Sequence, residues 1–304
     1  MISILRHEES PVRWIHISKA SSQEIRETVK PLALHPLIER ALYNPTLRSS
    51  AEEYEQVIYM TLQFPFFNED VLAIQQREVD FVIKKDLLLT VTYQTLPIID
   101  GLVASLGEEI KKNTAGEHAG FLLFELIRQL YAGTQAQLDR IEQSIVAIEE
   151  NIFHGHEREL VRLISLVRRD IIDVRRVIET HESVLVSLEQ LGTRMFDKHF
   201  TPYLNALTGE YYKVWSLVEN KKETVEALQE TNDSLLSTRT GEITKNLTIM
   251  AFVTFPLMLL SSIFGMNTIR VPIVGSQYDF WIIIAIMVAS TVGMFIFFKI
   301  KKWL

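Results

Sequence analysis

Two apolar segments, Leu247–Phe264 and Phe280–Phe298, close the chain, and neither contains a charged side chain. At a rise of ~1.5 Å per residue each is long enough to cross a hydrocarbon core of ~30 Å as a helix. The chain is therefore expected to span a membrane twice. Arg239 and Lys245 precede the first segment and Lys299, Lys301 and Lys302 follow the second, whereas the linker Thr268–Asp279 offers only Arg270. That asymmetry places both termini in the cytoplasm. The linker is too short to fold as a domain, so recognition on the far side falls to Gly265–Asp279.

The residues before the spans carry most of the charge and are numerous enough for one or two soluble cores. The first residues, Met1–Glu9, lack an apolar stretch of the signal-peptide kind, so no cleaved leader is expected. A net charge of −7 without a dense basic block argues against nucleic acid as a partner and suits cations. Cysteine is absent, so a bound metal must be held by oxygen or imidazole. There is no phosphate-cradling glycine loop and no nucleophile with an adjacent base. Neither an ATP-driven pump nor an enzyme is expected, and no organic cofactor is implied.

Strand-like alternation marks Val12–Ile17 and Gln56–Leu62, and the runs Val79–Ile83 and Leu87–Tyr93 flank a turn at Lys84-Lys85-Asp86. Ser21 followed by Glu24 reads as a helix cap. Beyond about Gly120 the period becomes helical. Leu138, Ile141, Ile145 and Ile148 form one arm, Ile152–His156 interrupts it, and Leu160, Leu163, Ile164 and Val167 begin a second arm expected to run to about Leu191. The tip between them is acidic, with Glu149, Glu150, Glu157 and Glu159. After Thr201-Pro202, a seam of Leu204, Leu207, Tyr211, Val214, Val218, Val225, Leu228 and Leu235, with Lys221 and Asn232 in polar slots, predicts one long helix entering the first span. A helix of that length in water implies identical neighbours along the seam.

The stretches Thr240–Ile249, Phe255-Pro256-Leu257, Ile263-Phe264-Gly265-Met266-Asn267 and Lys299–Leu304 together resemble the membrane end of the CorA-type magnesium transporters (metal ion transporter family). The likeness in organisation covers the whole length. It implies an α+β cytoplasmic domain (an α/β/α sandwich with a helical hairpin), then a long stalk helix and two transmembrane helices, assembled as a funnel-shaped homopentamer in a bacterial- or archaeal-type inner membrane. The expected division is 1–115 for the α/β domain, 116–200 for the hairpin region, 201–246 for the stalk, 247–267 for a pore-lining span, 268–279 for the outer loop, 280–298 for the second span and 299–304 for a basic tail.

The resemblance further implies uptake of Mg²⁺, with Co²⁺ and Ni²⁺ as passengers, through a selectivity filter of Gly265, Met266 and Asn267. A ring of amide and carbonyl oxygens suits a hydrated Mg²⁺, which dehydrates reluctantly. Inward from Asn267 the pore-facing stripe is expected to be Ser262, Met258, Phe255, Ala251, Thr248, Leu247, Thr244 and Gly241. Phe255, Met258 and Leu247 are its candidates for a dewetting constriction. A membrane potential of 100 mV supplies ~2.3 kcal/mol per charge, enough to drive entry without a pump.

The chain departs from the family at Thr268–Ile273, which lacks the usual acidic residue and carries Arg270, and at Gly241, where asparagine is common. Regulatory Mg²⁺ sites are expected among Glu210, Glu219, Glu223, Glu226, Glu230 and Asp233, and the absence of acid in Pro202–Ala206 predicts only weak Mg²⁺-dependent closure.

Plainer readings stand beside these. Asn267 suits a helix C-cap, Phe255 and Met258 suit lipid or the second span, and the stalk carboxylates suit a solvated face. Pro256 suits a kink. His154 and His156 lie in a tip loop, and His16 and His181 read as structural. Two alternative functions remain open: a Zn²⁺ transporter of the same family, proton-coupled, and a non-conducting membrane-anchored sensor or scaffold.

Overall fold

The computed structural model describes residues 2–6, 12–19, 21–46, 48–103, 118–266, 273–275 and 277–303. They divide into two compact units, Met1–Gln229 and Glu230–Leu304.

The first unit is built on a six-stranded sheet of β1 (Ile2–Arg6), β2 (Arg13–Ser18), β3 (Ser50–Tyr54), β4 (Val57–Asn68), β5 (Ala73–Ile83) and β6 (Leu87–Thr92), in the order β1-β2-β6-β5-β4-β3. β2 and β6 run parallel and the other neighbours antiparallel. Between β5 and β6 the chain reverses over 84–86, where the Lys84 amide donates to the Leu87 carbonyl at 2.8 Å. The alternation of the central strands appears as burial on both sides, so each face needs a helical cover.

Helices α1 (Ser22–Val29) and α2 (Pro36–Ala41) cover one face. Ile25, Val29, Ile38 and Leu42 pack there on Ile15, Ile17, Tyr59, Val82, Leu89 and Val91. The start of α1 is a full capping box: the Ser21 amide donates to Glu24 Oε2 at 2.8 Å and the Glu24 amide donates to Ser21 Oγ at 3.3 Å. Helices α3 (Ala119–Asn151), α4 (Glu157–Glu179) and α5 (His181–Phe196) cover the other face. Phe64 of β4 meets Tyr131 of α3 and His181 of α5, with ring centroids 5.8 and 5.1 Å apart. The result is an α/β/α sandwich with a helical hairpin.

Two sequence expectations need correction. The second arm does not continue to Leu191: α4 ends at Glu179 and α5 starts at His181. The break turns His181 inward, where Nε2 donates to the Gln63 carbonyl at 2.7 Å and Nδ1 accepts from the Tyr131 hydroxyl at 3.0 Å. Burial lowers the His181 pKa to about 4, which keeps the ring neutral in that role. At the hairpin tip Glu149, Glu150 and Glu159 are exposed, whereas Glu157 is buried. Finally, the seam of helix α6 (Thr201–Phe264) needs no neighbouring copy over its first part. Leu204, Leu207, Tyr211, Val214, Val218 and Val225 are all buried within this one chain, and the Lys221 ammonium bonds Glu142 of α3. The hairpin helices supply the cover that periodicity alone assigned to a second copy.

In the second unit, α6 ends at Phe264 and α7 (Asp279–Ile300) follows. Both helices are long and apolar enough to cross a membrane.

Candidate ion pathway and carboxylates

Within the second unit, burial sorts each span into two faces. On α6, Ile249 is buried and Val253, Pro256, Leu257, Leu260 and Phe264 are half-buried, while on α7 the half-covered residues are Ile283, Ile286, Met287, Ser290, Thr291 and Met294, with Phe298 buried. Three- and four-residue steps put each set on one side of its helix, and Ile249, Val253 and Phe295 line a common cleft. These are the faces that the spans turn toward one another.

The expected pore stripe lies mainly on the opposite side of α6. Leu247, Phe255 and Met258 are 62, 66 and 65% exposed. Gly241, Thr244, Thr248 and Ser262 are exposed and Ala251 is half-buried. Packing against the second span therefore does not account for Phe255 and Met258. The Thr248 hydroxyl donates to the Thr244 carbonyl at 2.8 Å, which leaves its oxygen lone pairs facing outward as acceptors. Pro256 has no amide to offer the Phe252 carbonyl, yet the helix continues through it.

At the far end the helix closes with the Gly265 amide on the Ser261 carbonyl at 3.0 Å and the Met266 amide on the Ile263 carbonyl at 3.3 Å. A Cβ at Gly265 would lie 3.1 Å from the Ser261 oxygen, so a side chain there would crowd the helix end. Asn267 and Arg270 lie outside the described residues.

The helix seen here, with its motif at the end of a span and an α/β/α unit before it, has close counterparts. Residues 9–301 match the model of the CorA-like Mg²⁺ transporter protein family. The chain belongs to the CorA family. The cobalt/magnesium transport protein CorA of Thermotoga maritima is 25% identical over 301 residues, covering 98% of this chain and 85% of that protein. The CorA of Methanocaldococcus jannaschii is 22% identical over 256 residues, 83% of this chain and 79% of that one. The complete structure of the magnesium transporter from M. jannaschii superposes with a TM-score of 0.84 at 19% identity, covering 99% of this chain and 94% of that one. A CorA-family chain is a membrane transporter of divalent cations and not an enzyme, with its membrane helices at the C-terminal end.

The expected regulatory carboxylates of this CorA-family chain are not equivalent. Glu219 Oε1 accepts from Arg175 Nε of α4 at 2.5 Å, with Arg175 also 5.3 Å from the centre of the Trp215 ring. Glu210 lies 3.9 Å from Lys213, and Glu226 lies 3.8 Å from Lys222. Glu223, Glu230 and Asp233 are exposed. Among the described residues no three His, Asp or Glu side chains of one chain converge as a metal site. Sequence reasoning missed the Arg175 partner of Glu219, because the two are remote in the chain and no local signal joins them.

Proposed function

We propose that this chain forms a homopentameric channel in an inner membrane that takes up Mg²⁺, with both termini cytoplasmic. Hydrated Mg²⁺ is selected at the outer end by Asn267 with the Gly265 carbonyl, and the stripe from Ser262 to Gly241 lines the path. One observation carries this reading: in a chain of the CorA family, the face of α6 bearing Leu247, Phe255 and Met258 is turned away from the second span. Apolar side chains exposed in this way at the middle of a pore would close it by dewetting, with the Thr248 and Thr244 oxygens waiting on the inner side. The membrane potential drives the ion inward. Co²⁺ and Ni²⁺ share this path, and the stalk carboxylates Glu210, Glu219, Glu223, Glu226, Glu230 and Asp233 serve as low-affinity cation sites for closure.

The test is Mg²⁺ influx into proteoliposomes under an inside-negative potential, comparing the unaltered chain with Asn267→Ala. Abolished influx in the variant supports selection at the outer ring. Undiminished influx removes Asn267 from the filter. Influx of Zn²⁺ that Mg²⁺ does not inhibit and that needs a pH gradient would instead favour the proton-coupled Zn²⁺ relative, and no flux of any ion from assembled protein would favour the anchored scaffold.

A further inference from the structure

Within the second unit, the cleft between α6 and α7 has a volume of about 510 Å³ and is lined by Asn246, Ile249, Met250, Val253, Thr254 and Phe295. That volume lies in the ~300–1,000 Å³ range of ligand clefts. Its floor is apolar, and the one hydroxyl on it is already engaged, Thr254 Oγ1 donating to the Met250 carbonyl at 2.9 Å. From Asn246 to Thr254 the cleft runs about 12 Å along α6 at ~1.5 Å per residue, most of the depth of one leaflet of a ~30 Å hydrocarbon core. Helical spacing places Asn246, Ile249 and Val253 on the side of α6 away from Phe255 and Met258. The cleft is therefore separate from the ion path proposed above.

Its mouth, at the Asn246 end, is cationic. Lys299 stands one turn beyond Phe295 on the same face of α7, whereas Lys301 falls on the opposite face. The helix closes there in a Schellman turn: the Lys302 amide donates to the Lys299 carbonyl at 3.1 Å and the Trp303 amide to the Phe298 carbonyl at 2.9 Å, with Lys302 at a left-handed φ of 56°. The chain end folds back, and the Trp303 ring stacks on Phe298 with centroids 5.9 Å apart. Lys302 is thus held beside the last turn of α7, and Trp303 sits at the interfacial level that tryptophan favours. On α6, Lys245 adjoins Asn246. Glu242 is the only acidic side chain in 239–246 and 299–303, and Arg239 and Lys245 flank it at three-residue steps.

An occupant must offer hydrocarbon to the floor and negative charge to the mouth. A second copy of this chain in the same membrane would bring the same lysines to the same level, which opposes its entry. A zwitterionic lipid supplies the hydrocarbon and no net charge. An anionic phospholipid supplies both, and basic residues at the membrane surface attract such headgroups.

We propose that this cleft binds an anionic phospholipid, with one acyl chain along Ile249, Val253 and Phe295 and its phosphate held by Lys299, Lys302 and the Asn246 amide. The site rests on the two helices crossing a bilayer and not on which face of α6 lines a pore.

Delipidated full-length protein in detergent, equilibrated with radiolabelled phosphatidylglycerol or phosphatidylcholine, tests it. The unaltered chain is expected to bind phosphatidylglycerol saturably and at least about fivefold more tightly than phosphatidylcholine. Lys299→Gln should weaken phosphatidylglycerol about fivefold, while Lys301→Gln, on the other face, changes it by no more than about twofold. Val253→Trp, which fills the floor, should weaken both lipids. Thermal unfolding and the oligomeric mass check each variant. Should Val253→Trp fail to fold, the exposed lysines still decide the matter. Equal affinity for the two lipids, or equal losses in Lys299→Gln and Lys301→Gln, overturns the site. Binding of neither lipid, with an oligomeric mass that Val253→Trp alters, gives the cleft to a second copy and overturns it as well.

Discussion

Phe81 and Phe255 put the same side chain into opposite circumstances. Phe81, on β5 in the first unit, is completely buried, whereas Phe255, on the membrane-crossing part of α6, is 66% exposed. The same contrast runs along the apolar residues of α6, for Val214 and Val218 are fully buried and Leu247 and Met258 are not. The first unit completes its core from one chain. The membrane unit leaves an apolar face for surroundings that a single chain does not supply, and the bilayer or neighbouring copies must cover it. Residues of one chemical type therefore report on stability in the first unit and on assembly or conduction in the second.

Alanine at the two phenylalanines gives the largest test of that contrast. Phe81→Ala is expected to destabilise the first unit by about 3–5 kcal/mol through lost burial and a cavity, a large fraction of a typical domain's stability. Phe255→Ala should change unfolding of the detergent-solubilised chain by no more than about 0.5 kcal/mol, while raising Mg²⁺ leak under conditions that close the unaltered channel. Thermal unfolding followed by intrinsic fluorescence, paired with proteoliposome flux, reads both. A strongly destabilised Phe255→Ala without leak would mean that this face holds structure within the chain and does not gate.

A second difference between the units lies in buried charge, which among the described residues occurs only in the first. Asp80 is fully buried, with Oδ1 accepting from Thr61 Oγ1 at 2.7 Å and the Tyr59 hydroxyl at 3.1 Å, and Oδ2 accepting from the Tyr93 hydroxyl at 2.6 Å. Burial nonetheless pushes its pKa from 3.8 up to about 6, and burial followed by the charge of Asp80 pushes that of Glu78 from 4.5 up to about 7. A carboxyl group whose folded pKa is raised binds its proton more tightly in the folded state. It favours folding below the unfolded value, and that contribution is lost as the pH rises toward the folded value.

The chain should therefore lose stability between about pH 4 and 7, by roughly 1.4 kcal/mol for each pH unit separating folded and unfolded values. Asp80→Asn should flatten that fall, and it also removes the charge that raises Glu78. The Tyr93 hydroxyl, 3.1 Å from the Leu42 carbonyl, can donate there and accept from the new amide. Denaturation midpoints across this pH range decide the matter. An unchanged slope in the variant would show that Asp80 does not titrate there.

The sequence made legible the elements whose signals are local. The period of Val12–Ile17, the turn at 84–86, the Ser21–Glu24 cap, the helical hairpin and both spans follow from neighbours a few residues apart. The edge strands were less visible. Ser50–Tyr54 includes Glu52 and Glu53, both exposed, and becomes a strand because β4 offers it a hydrogen-bonding edge. The break before His181 arises from partners on β4 and α3, and the cover of the Leu204–Val225 seam comes from helices remote in sequence. For the proposed ion pathway, Gly265-Met266-Asn267 is contiguous and so could be read as a motif. Among the stalk carboxylates, Lys213 and Lys222 lie within four residues of Glu210 and Glu226, but the Arg175 partner of Glu219 is remote in the chain and could not be read in that way.

The smallest expected effect concerns one of those cations. Arg175 and Glu219 form a 2.5 Å bond between side chains 36 and 29% exposed, a setting in which solvent screens much of the Coulomb attraction. Arg175→Gln should therefore cost about 1 kcal/mol of stability or less, although it also loosens the contact over Trp215. Its informative consequence is electrostatic. While Arg175 holds Glu219, a divalent ion must displace a guanidinium to use that carboxylate, and this substitution removes the competitor. If the stalk carboxylates regulate closure, Arg175→Gln should lower the Mg²⁺ concentration that slows influx, and Glu219→Gln should not. If both variants close at the same Mg²⁺ concentration as the unaltered chain, Glu219 belongs with the buried seam above it as a packing residue of the first unit, and regulation must rest on the other stalk carboxylates.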